Sequence, residues 1–154
     1  MKITGKTVTI RPMTKKECHA YLRKYIPLSG SYTYSEETAD TVFQKIEQEQ
    51  EKSPVLGIFT RQNEIIGRVR VFRIVNSEQR CELELELANE SYMGKGLGTD
   101  AARLALRLIK EKLGMKRVYA DVAPDNARAK RVLEKCGFNG IKDFSDRLSY
   151  MVRL

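Results

Sequence analysis

The chain has only three cysteines among its 154 residues, and Cys18, Cys81 and Cys136 are widely spaced. So few cysteines, odd in number, predict neither a disulfide framework nor a zinc site, and we expect no metal. No apolar run approaches the length of a bilayer span. The N-terminal segment Met-Lys-Ile-Thr-Gly-Lys lacks the apolar core of a signal peptide. We therefore expect a cytoplasmic protein that does not associate with membranes.

Internal repeats, linkers and low-complexity segments are also missing, so residues 1–154 are predicted to form a single domain. The hydrophobic content of 42% and charged content of 31% are ordinary for a globular protein. A net charge of +8 indicates anionic partners. Because no aromatic-rich sheet motif or known nucleic-acid module accompanies the charge, nucleic-acid binding is not expected.

Three alternating glycines stand out in the segment Tyr92-Met-Gly-Lys-Gly-Leu-Gly-Thr99. The preceding segment, Cys81-Glu-Leu-Glu-Leu-Glu-Leu87, alternates with period 2 and predicts a strand. Apolar residues at helical spacing follow the glycines, at Leu97, Ala101, Leu104, Ala105 and Leu108. A glycine loop that opens a helix presents backbone N–H groups and the positive end of the helix dipole. The segment is therefore predicted to hold a phosphate or pyrophosphate.

Two common phosphate-binding motifs do not fit this loop. A Walker A loop requires Gly-x-x-x-x-Gly-Lys-Ser/Thr, which the chain does not contain. The dinucleotide fingerprint Gly-x-Gly-x-x-Gly would need a glycine where Thr99 stands. Too few residues follow Asp121, at the end of the next predicted strand, to complete a doubly wound sheet.

The segment Met93-Gly-Lys-Gly-Leu-Gly98 resembles motif A of the GNAT N-acetyltransferase superfamily, Gln/Arg-x-x-Gly-x-Gly/Ala, with Met93 where Arg or Gln is usual. A second segment, Asn126-Ala-Arg-Ala-Lys-Arg-Val-Leu-Glu-Lys-Cys-Gly-Phe138, is similar to the family pattern Asn-x-x-Ser/Ala-x-x-x-x-Glu-Lys-x-Gly-Phe. The residues of this second segment are most similar to the branch that includes the ribosomal-protein N-terminal acetyltransferases. Residues 81–138 match the sequence motifs of the family closely, whereas residues 1–80 resemble it only in the order of their predicted elements.

Periodicity predicts the element order β-α-α-β-β-β-α-β-α-β-β, which is also the order of the GNAT family. The resemblance implies an α/β fold with a mixed, mostly antiparallel sheet, splayed between two strands and flanked by helices on both faces. It also implies acetyl-CoA as acyl donor, with pantetheine entering between the strands at 81–87 and 116–122. The coenzyme-binding residues that follow are Leu85, Leu87, Ala88, Met93, Gly94, Lys95, Gly96, Leu97, Gly98, Thr99 and Asn126. Asn126 could instead act as a helix N-cap.

Three glutamates share one face of the 81–87 strand, at Glu82, Glu84 and Glu86. The resemblance places this face beside the acceptor cleft, where an acidic floor would attract a cationic amine. Glu84 or Glu86 is the predicted general base, and Glu82 is predicted to bind the acceptor. The alternative is cross-strand pairing with Arg68, Arg70 and Arg73 on the neighbouring strand.

The general acid is not evident from the sequence. Many GNAT enzymes carry Tyr where this chain has Leu133, and the position often occupied by Ser is Ala129. Tyr92, Tyr119, Tyr150 or a water molecule could replace the missing tyrosine.

Aromatic hydroxyls at Tyr25, Tyr32 and Tyr34 flank the break between the first two predicted helices, a region that usually shapes the acceptor site in this family. Tyr32 and Tyr34 are therefore candidate acceptor-binding residues, with packing as the alternative role. His19 has no evident partner and is expected at the surface.

These patterns predict acetyl transfer to a primary amine by direct attack, because no cysteine lies in a recognisable nucleophile setting. The branch resemblance favours a protein N-terminus as acceptor, with a polyamine or aminoglycoside as the close alternative. A non-catalytic acyl-CoA sensor and a ribosome- or RNA-associated protein are two further alternatives. The sequence leaves open whether the protein forms a homodimer.

Overall fold

The computed structural model describes residues 1–154, which form one eight-stranded sheet and four α-helices. The strands are β1 (Ile3–Thr4), β2 (Val8–Arg11), β3 (Val55–Thr60), β4 (Ile65–Val75), β5 (Arg80–Leu87), β6 (Arg117–Val122), β7 (Asn139–Asp143) and β8 (Leu148–Arg153). The helices are α1 (Lys15–Lys24), α2 (Glu36–Glu49), α3 (Leu97–Leu108) and α4 (Ala127–Lys135), and a π-helical turn over Ile109–Leu113 extends α3. None of these helices is both long and apolar enough to cross a membrane.

The sheet has the strand order β1-β2-β3-β4-β5-β6-β8-β7. Every neighbouring pair is antiparallel except β5 and β6, which are parallel. These two strands pair only from Arg80 with Arg117 to Glu82 with Tyr119. Since β5 continues to Leu87 and β6 to Val122, the strands separate beyond that point and leave a gap in the middle of the sheet.

Side chains of each strand point alternately to the two faces of the sheet, and helices cover both faces. Leu83 and Leu87 of β5 belong to a core of 23 buried residues that includes the apolar stripe of α3. The intervening glutamates of β5 point to the other face, where Tyr21 of α1 contacts Glu86. On that side α1 and α2 bury a smaller core of nine residues. Replacing a leucine of the larger core with alanine would cost about 2–5 kcal/mol.

Gly67 allows β4 and β5 to approach closely beside Glu86. A Cβ atom at Gly67 would lie 2.5 Å from the backbone oxygen of Glu86, a separation that real Cβ atoms do not reach. Any side chain at position 67 would therefore displace the part of β5 that carries Glu86.

The predicted fold class and element order are confirmed. Thr14 and Ser35 cap α1 and α2 through their side chains, as Ser and Thr at these positions predict. Two details differ from the sequence prediction. Apolar alternation predicts a first strand over residues 6–13, whereas the strand in the structure is shorter, at Val8–Arg11, and the unpredicted β1 pairs with it. Two-residue strands such as β1 are too short to produce a periodic pattern.

Candidate active site

A cleft of about 570 Å³ opens where β5 and β6 separate. Four parts of the chain line it: the end of β5, the glycine loop, the face of α4 and the connection between α1 and α2. Eight of the predicted coenzyme-binding residues line this cleft, namely Leu85, Leu87, Met93, Gly94, Gly96, Gly98, Thr99 and Asn126. The sequence motifs therefore converge in one cavity, of a size typical for a small-molecule site.

The glycine loop has the geometry of an anion cradle. Gly94 and Gly96 have φ angles of 74° and 81°, in the left-handed region that favours glycine. A Cβ atom at either position would meet no heavy atom of the protein within 4 Å, so the loop leaves its outer side open. Gly96 is the N-cap of α3, and no side chain caps the first turn. The first N–H groups of α3 therefore remain available to an anion.

The N-terminal end of α4 forms the opposite wall of the cleft. Asn126 caps this helix, because its Oδ1 accepts a hydrogen bond of 3.0 Å from the backbone N–H of Ala129. Arg128, Arg131 and Lys135 also line the cleft. Sequence reasoning missed these three cations, although their i, i+3, i+7 spacing places them on one helix face. They give this wall of the cleft a positive charge.

Glu86 lies at the end of the cleft that faces α1. Its Oε1 accepts a hydrogen bond of 2.9 Å from the Tyr21 hydroxyl, and its Oε2 lies 3.9 Å from Nη2 of Arg68. Tyr25 lines the same end of the cleft. Burial, together with the Glu86 carboxylate, raises the pKa of Tyr25 to about 12. Burial also raises the pKa of Tyr21, so both hydroxyls stay protonated beside Glu86.

The other two glutamates of β5 lie away from the cleft. Glu84 is exposed and does not line it. Both oxygens of Glu82 accept hydrogen bonds from Nη1 of Arg73, at 3.1 and 2.9 Å.

The predicted cross-strand pairing of arginines and glutamates is confirmed. In the β4–β5 register, Arg68 stands opposite Glu86 and Arg70 opposite Glu84. Arg70 lies 4.0 Å from Glu84, and Arg73 pairs with Glu82. The expected acidic floor is therefore a balanced ladder of three positive and three negative side chains.

Tyr32 and Tyr34 do not line the cleft. The Tyr32 ring packs edge-on against Tyr25, with 5.3 Å between ring centroids. The Tyr34 hydroxyl lies 2.8 Å from Nδ1 of His19, whose Nε2 lies 2.8 Å from Oδ1 of Asp40. The expectation that His19 is a surface residue is wrong, because its side chain is buried between α1, α2 and Tyr34. This cluster fixes the connection between α1 and α2 that forms one wall of the cleft.

Three predicted coenzyme-binding residues lie outside the cleft. Lys95 is exposed, and Leu97 packs against the larger core. Ala88 is fully buried. Its N–H donates to the Ile66 carbonyl, and its own carbonyl accepts from the N–H of Ile26, both at 2.8 Å. The backbone of Ala88 therefore helps to attach β5 to β4 and to the α1–α2 connection.

The candidate general acids also lie outside the cleft. The Tyr92 hydroxyl donates to Glu64 and accepts from Lys24, Tyr119 lies next to Arg117, and Tyr150 is buried in the larger core. Leu133 is buried in the same core.

The three cysteines are poor nucleophiles. Burial raises the pKa of both the Cys18 and the Cys81 thiol to about 11, and it also raises the pKa of Cys136. Thiolate, the reactive form, is therefore scarce at neutral pH.

Residues 7–139 match the family model of the acetyltransferase (GNAT) domain. The chain belongs to the GNAT acetyltransferase family. It is therefore an acyltransferase, as the sequence motifs predict. Among related sequences, the probable N-acetyltransferase YjcK of Bacillus subtilis is 26% identical over 150 residues, which cover 89% of this chain and 83% of that protein. An aminoglycoside N(6′)-acetyltransferase of Klebsiella pneumoniae is 42% identical over 52 residues, or 34% of this chain and 26% of that protein.

Solved structures of GNAT acetyltransferases share the whole fold. A protein described as a ribosomal-protein-serine acetyltransferase from Vibrio cholerae superposes with a TM-score of 0.85 at 17% identity, covering 100% of this chain and 98% of that one. RimJ of Mycobacterium smegmatis, in complex with CoA-disulfide, gives a TM-score of 0.82 at 17% identity, covering 95% and 81%. A chimera of Vibrio cholerae spermidine N-acetyltransferase SpeG and hSSAT gives 0.80 at 19% identity, covering 96% of each chain. At these identities the likeness establishes the fold and leaves the acceptor open.

Proposed function

We propose that the protein transfers an acetyl group from acetyl-CoA to the amino group of a peptide N-terminus. The observation that carries this proposal is the continuous cleft between the glycine loop and Glu86. One end offers unpaired helix N–H groups for a pyrophosphate, and the other offers a carboxylate for the proton of an amine.

The chain's own residues fit the donor. The open sides of Gly94 and Gly96 allow phosphate oxygens to approach the backbone. Arg128, Arg131 and Lys135 supply positive charge for the remaining phosphate groups. Leu85 and Leu87 border the gap between the strands, where the pantetheine arm would lie. When bound, acetyl-CoA supplies an activated acyl group, its thioester.

The reaction is a direct substitution at that thioester. The amine nitrogen forms a bond to the acetyl carbon while the carbon–sulfur bond breaks, and the electron pair leaves with sulfur as a thiolate. Glu86 accepts the proton lost by the amine, directly or through a water molecule, and solvent protonates the thiolate. Burial and the neighbouring Glu86 carboxylate raise the pKa of Tyr25 to about 12, so its hydroxyl is protonated at neutral pH. It can donate a hydrogen bond to the acetyl oxygen.

The relatives support two acceptor classes. Structural neighbours include a ribosomal-protein-serine acetyltransferase, which supports a protein N-terminus. A spermidine acetyltransferase and an aminoglycoside acetyltransferase support a small polycation. The arginines of β4 balance the glutamates of β5, so this face has no net negative charge that would favour a polycation. We therefore place the peptide N-terminus first.

The test is detection of an acetylated product by mass spectrometry. The purified protein would be incubated with acetyl-CoA and separate pools of N-terminal peptides, polyamines and aminoglycosides. A mass increase of one acetyl group on peptides would support the proposal, and the same increase only on polycations would move the acceptor to that class. Acetyl-CoA binding by calorimetry without any acetylated product would instead indicate a non-catalytic acyl-CoA sensor.

A further inference from the structure

Two arginines on the acceptor face of β4 have hydrogen-bonding capacity that the protein does not use. The closest carboxylate oxygen lies 3.9 Å from Arg68 and 4.0 Å from Arg70, beyond hydrogen-bond distance. The Nε atom of Arg68 is buried and has no hydrogen-bond partner within the protein. Arg73 differs, because it donates to both oxygens of Glu82. Because their side chains are 31% and 38% exposed, Arg68 and Arg70 can take a further carboxylate through their terminal guanidinium nitrogens.

The packing around Arg70 keeps its guanidinium in place. Its Cζ atom lies 4.3 Å from the centroid of the Phe72 ring, within the range of a cation–π contact. A guanidinium held on an aromatic ring loses less conformational entropy when it binds a ligand. One side of the Arg70 guanidinium faces Glu84. The N–H groups on its other side are therefore the ones that a ligand can reach.

Strand β4 carries a row of three arginines, Arg68, Arg70 and Arg73, which leads away from Glu86. The exposed fraction of the side chain rises along β4, from 31% at Arg68 to 38% at Arg70 and 70% at Arg73. A row of side chains that becomes more exposed along the strand suits an extended peptide better than a compact small molecule. Residues i and i+2 of a strand lie about 7 Å apart. An extended peptide with its amino group near Glu86 would therefore bring its second or third side chain to Arg70.

We propose that the acceptor is an acidic peptide N-terminus, whose carboxylate at the second or third position binds Arg70 and Arg68. The inference rests on the proposed function, peptide N-acetylation, and names the acceptor class of that same site. The carboxylate would form charge-assisted hydrogen bonds with donors that now lack a close acceptor. A lysine at the same positions would meet the guanidinium of Arg70 and would be disfavoured.

Three peptides of the same length test the inference: Ser-Asp-Asp-Phe-amide, Ser-Asn-Asn-Phe-amide and Ser-Lys-Lys-Phe-amide, with spermidine as a fourth acceptor. We expect kcat/KM with acetyl-CoA to fall in the order acidic, neutral, basic, with about a tenfold advantage of acidic over neutral, the size of one charge-assisted hydrogen bond. Arg70→Gln should remove that advantage, so that the acidic and neutral peptides are acetylated at similar rates. Arg70→Glu should favour the basic peptide.

Arg107→Gln is the matched control, since Arg107 is an exposed arginine of α3 that pairs only with Glu111, away from the cleft. It should leave all four rates unchanged. If the basic peptide or spermidine is acetylated as well as the acidic peptide, the inference is wrong while the enzyme remains an amine acetyltransferase. If acetyl-CoA binds and no acceptor reacts, the proposed function itself fails. The ranking of the peptides by the unaltered protein decides the question even if an Arg70 variant does not fold.

Discussion

The Tyr21 hydroxyl of α1 donates a hydrogen bond of 2.9 Å to Oε1 of Glu86 on β5. This contact joins α1, which covers one face of the sheet, to β5, whose end lines the cleft. It occupies one carboxylate oxygen and fixes the rotamer of Glu86. In the proposed reaction, the second oxygen, 3.9 Å from Arg68, accepts the proton of the amine.

Glu86→Gln tests the assignment of the base. We expect kcat to fall by about 100-fold or more, the usual effect of losing a general base, while acetyl-CoA affinity stays unchanged. Glu84→Gln is the control on the same strand face, because Glu84 is exposed outside the cleft, and it should keep kcat within about twofold of the unaltered enzyme. Steady-state kinetics and calorimetry provide the two measurements. A large loss of kcat in Glu84→Gln, with Glu86→Gln active, would assign the base to Glu84.

Gly96→Ala tests the role of the glycine loop. An alanine at a φ of 81° costs roughly 1 kcal/mol of stability through backbone strain. Its methyl group would also occupy the open side of the loop, so acetyl-CoA affinity should fall by at least about tenfold. Gly114→Ala is the control, since Gly114 also has a positive φ and open surroundings but follows the last turn beyond α3. It should lower the melting temperature similarly and leave acetyl-CoA affinity unchanged. Equal affinities in the two variants would show that no phosphate rests on Gly96.

Local sequence patterns were sufficient to predict most of the fold. The alternation of 81–87 predicted β5 with leucines on one face and glutamates on the other, and the glycine loop predicted where α3 begins. The splaying of β5 from β6 came from the family resemblance. It depends on pairing between residues far apart in the chain, such as Glu82 with Tyr119. A local sequence pattern carries no information on such long-range pairing.

The candidate site was harder to predict for the same reason. Spacing placed Glu84 and Glu86 on the same face, but only the position of α1 shows that Glu86 alone borders the cleft. His19 seemed to have no partner because Tyr34 and Asp40, which bond to it, belong to the following loop and helix. The cations of α4 were predictable from helical spacing, whereas their position opposite the glycine loop follows from tertiary packing.

Asn126→Ser separates two roles of the α4 cap. Serine retains the side-chain oxygen that accepts the N–H of Ala129, so the stability of the helix should change little. The variant lacks the amide, and if that group contacts pantetheine, KM for acetyl-CoA should rise by about threefold to tenfold. Asn126→Ala loses both functions and should also destabilise the protein by about 1 kcal/mol. An unchanged KM in Asn126→Ser, with reduced stability in Asn126→Ala, would limit Asn126 to capping.

The ion pair between Glu17 and Arg11 should make stability depend on pH in the acid range. The hydrogen bonds from Arg11 lower the pKa of Glu17 from 4.5 to about 2. Because the pKa in the folded state lies below the unfolded value, the pair stabilises the protein fully above about pH 4.5. This stabilisation is lost as the pH falls through about 2.

Glu17→Gln retains an amide that can accept the N–H of Thr14, so the capping box survives while the charge is lost. Urea unfolding at pH 6 should show a loss of about 1 kcal/mol, since a partly exposed ion pair is screened by solvent. Near pH 2 the variant and the unaltered protein should approach equal stability. Glu49→Gln, at the exposed C-terminal end of α2, should show no such convergence. A difference between Glu17→Gln and the unaltered protein that stays constant from pH 6 to pH 2 would mean that the glutamate acts through packing rather than through its charge.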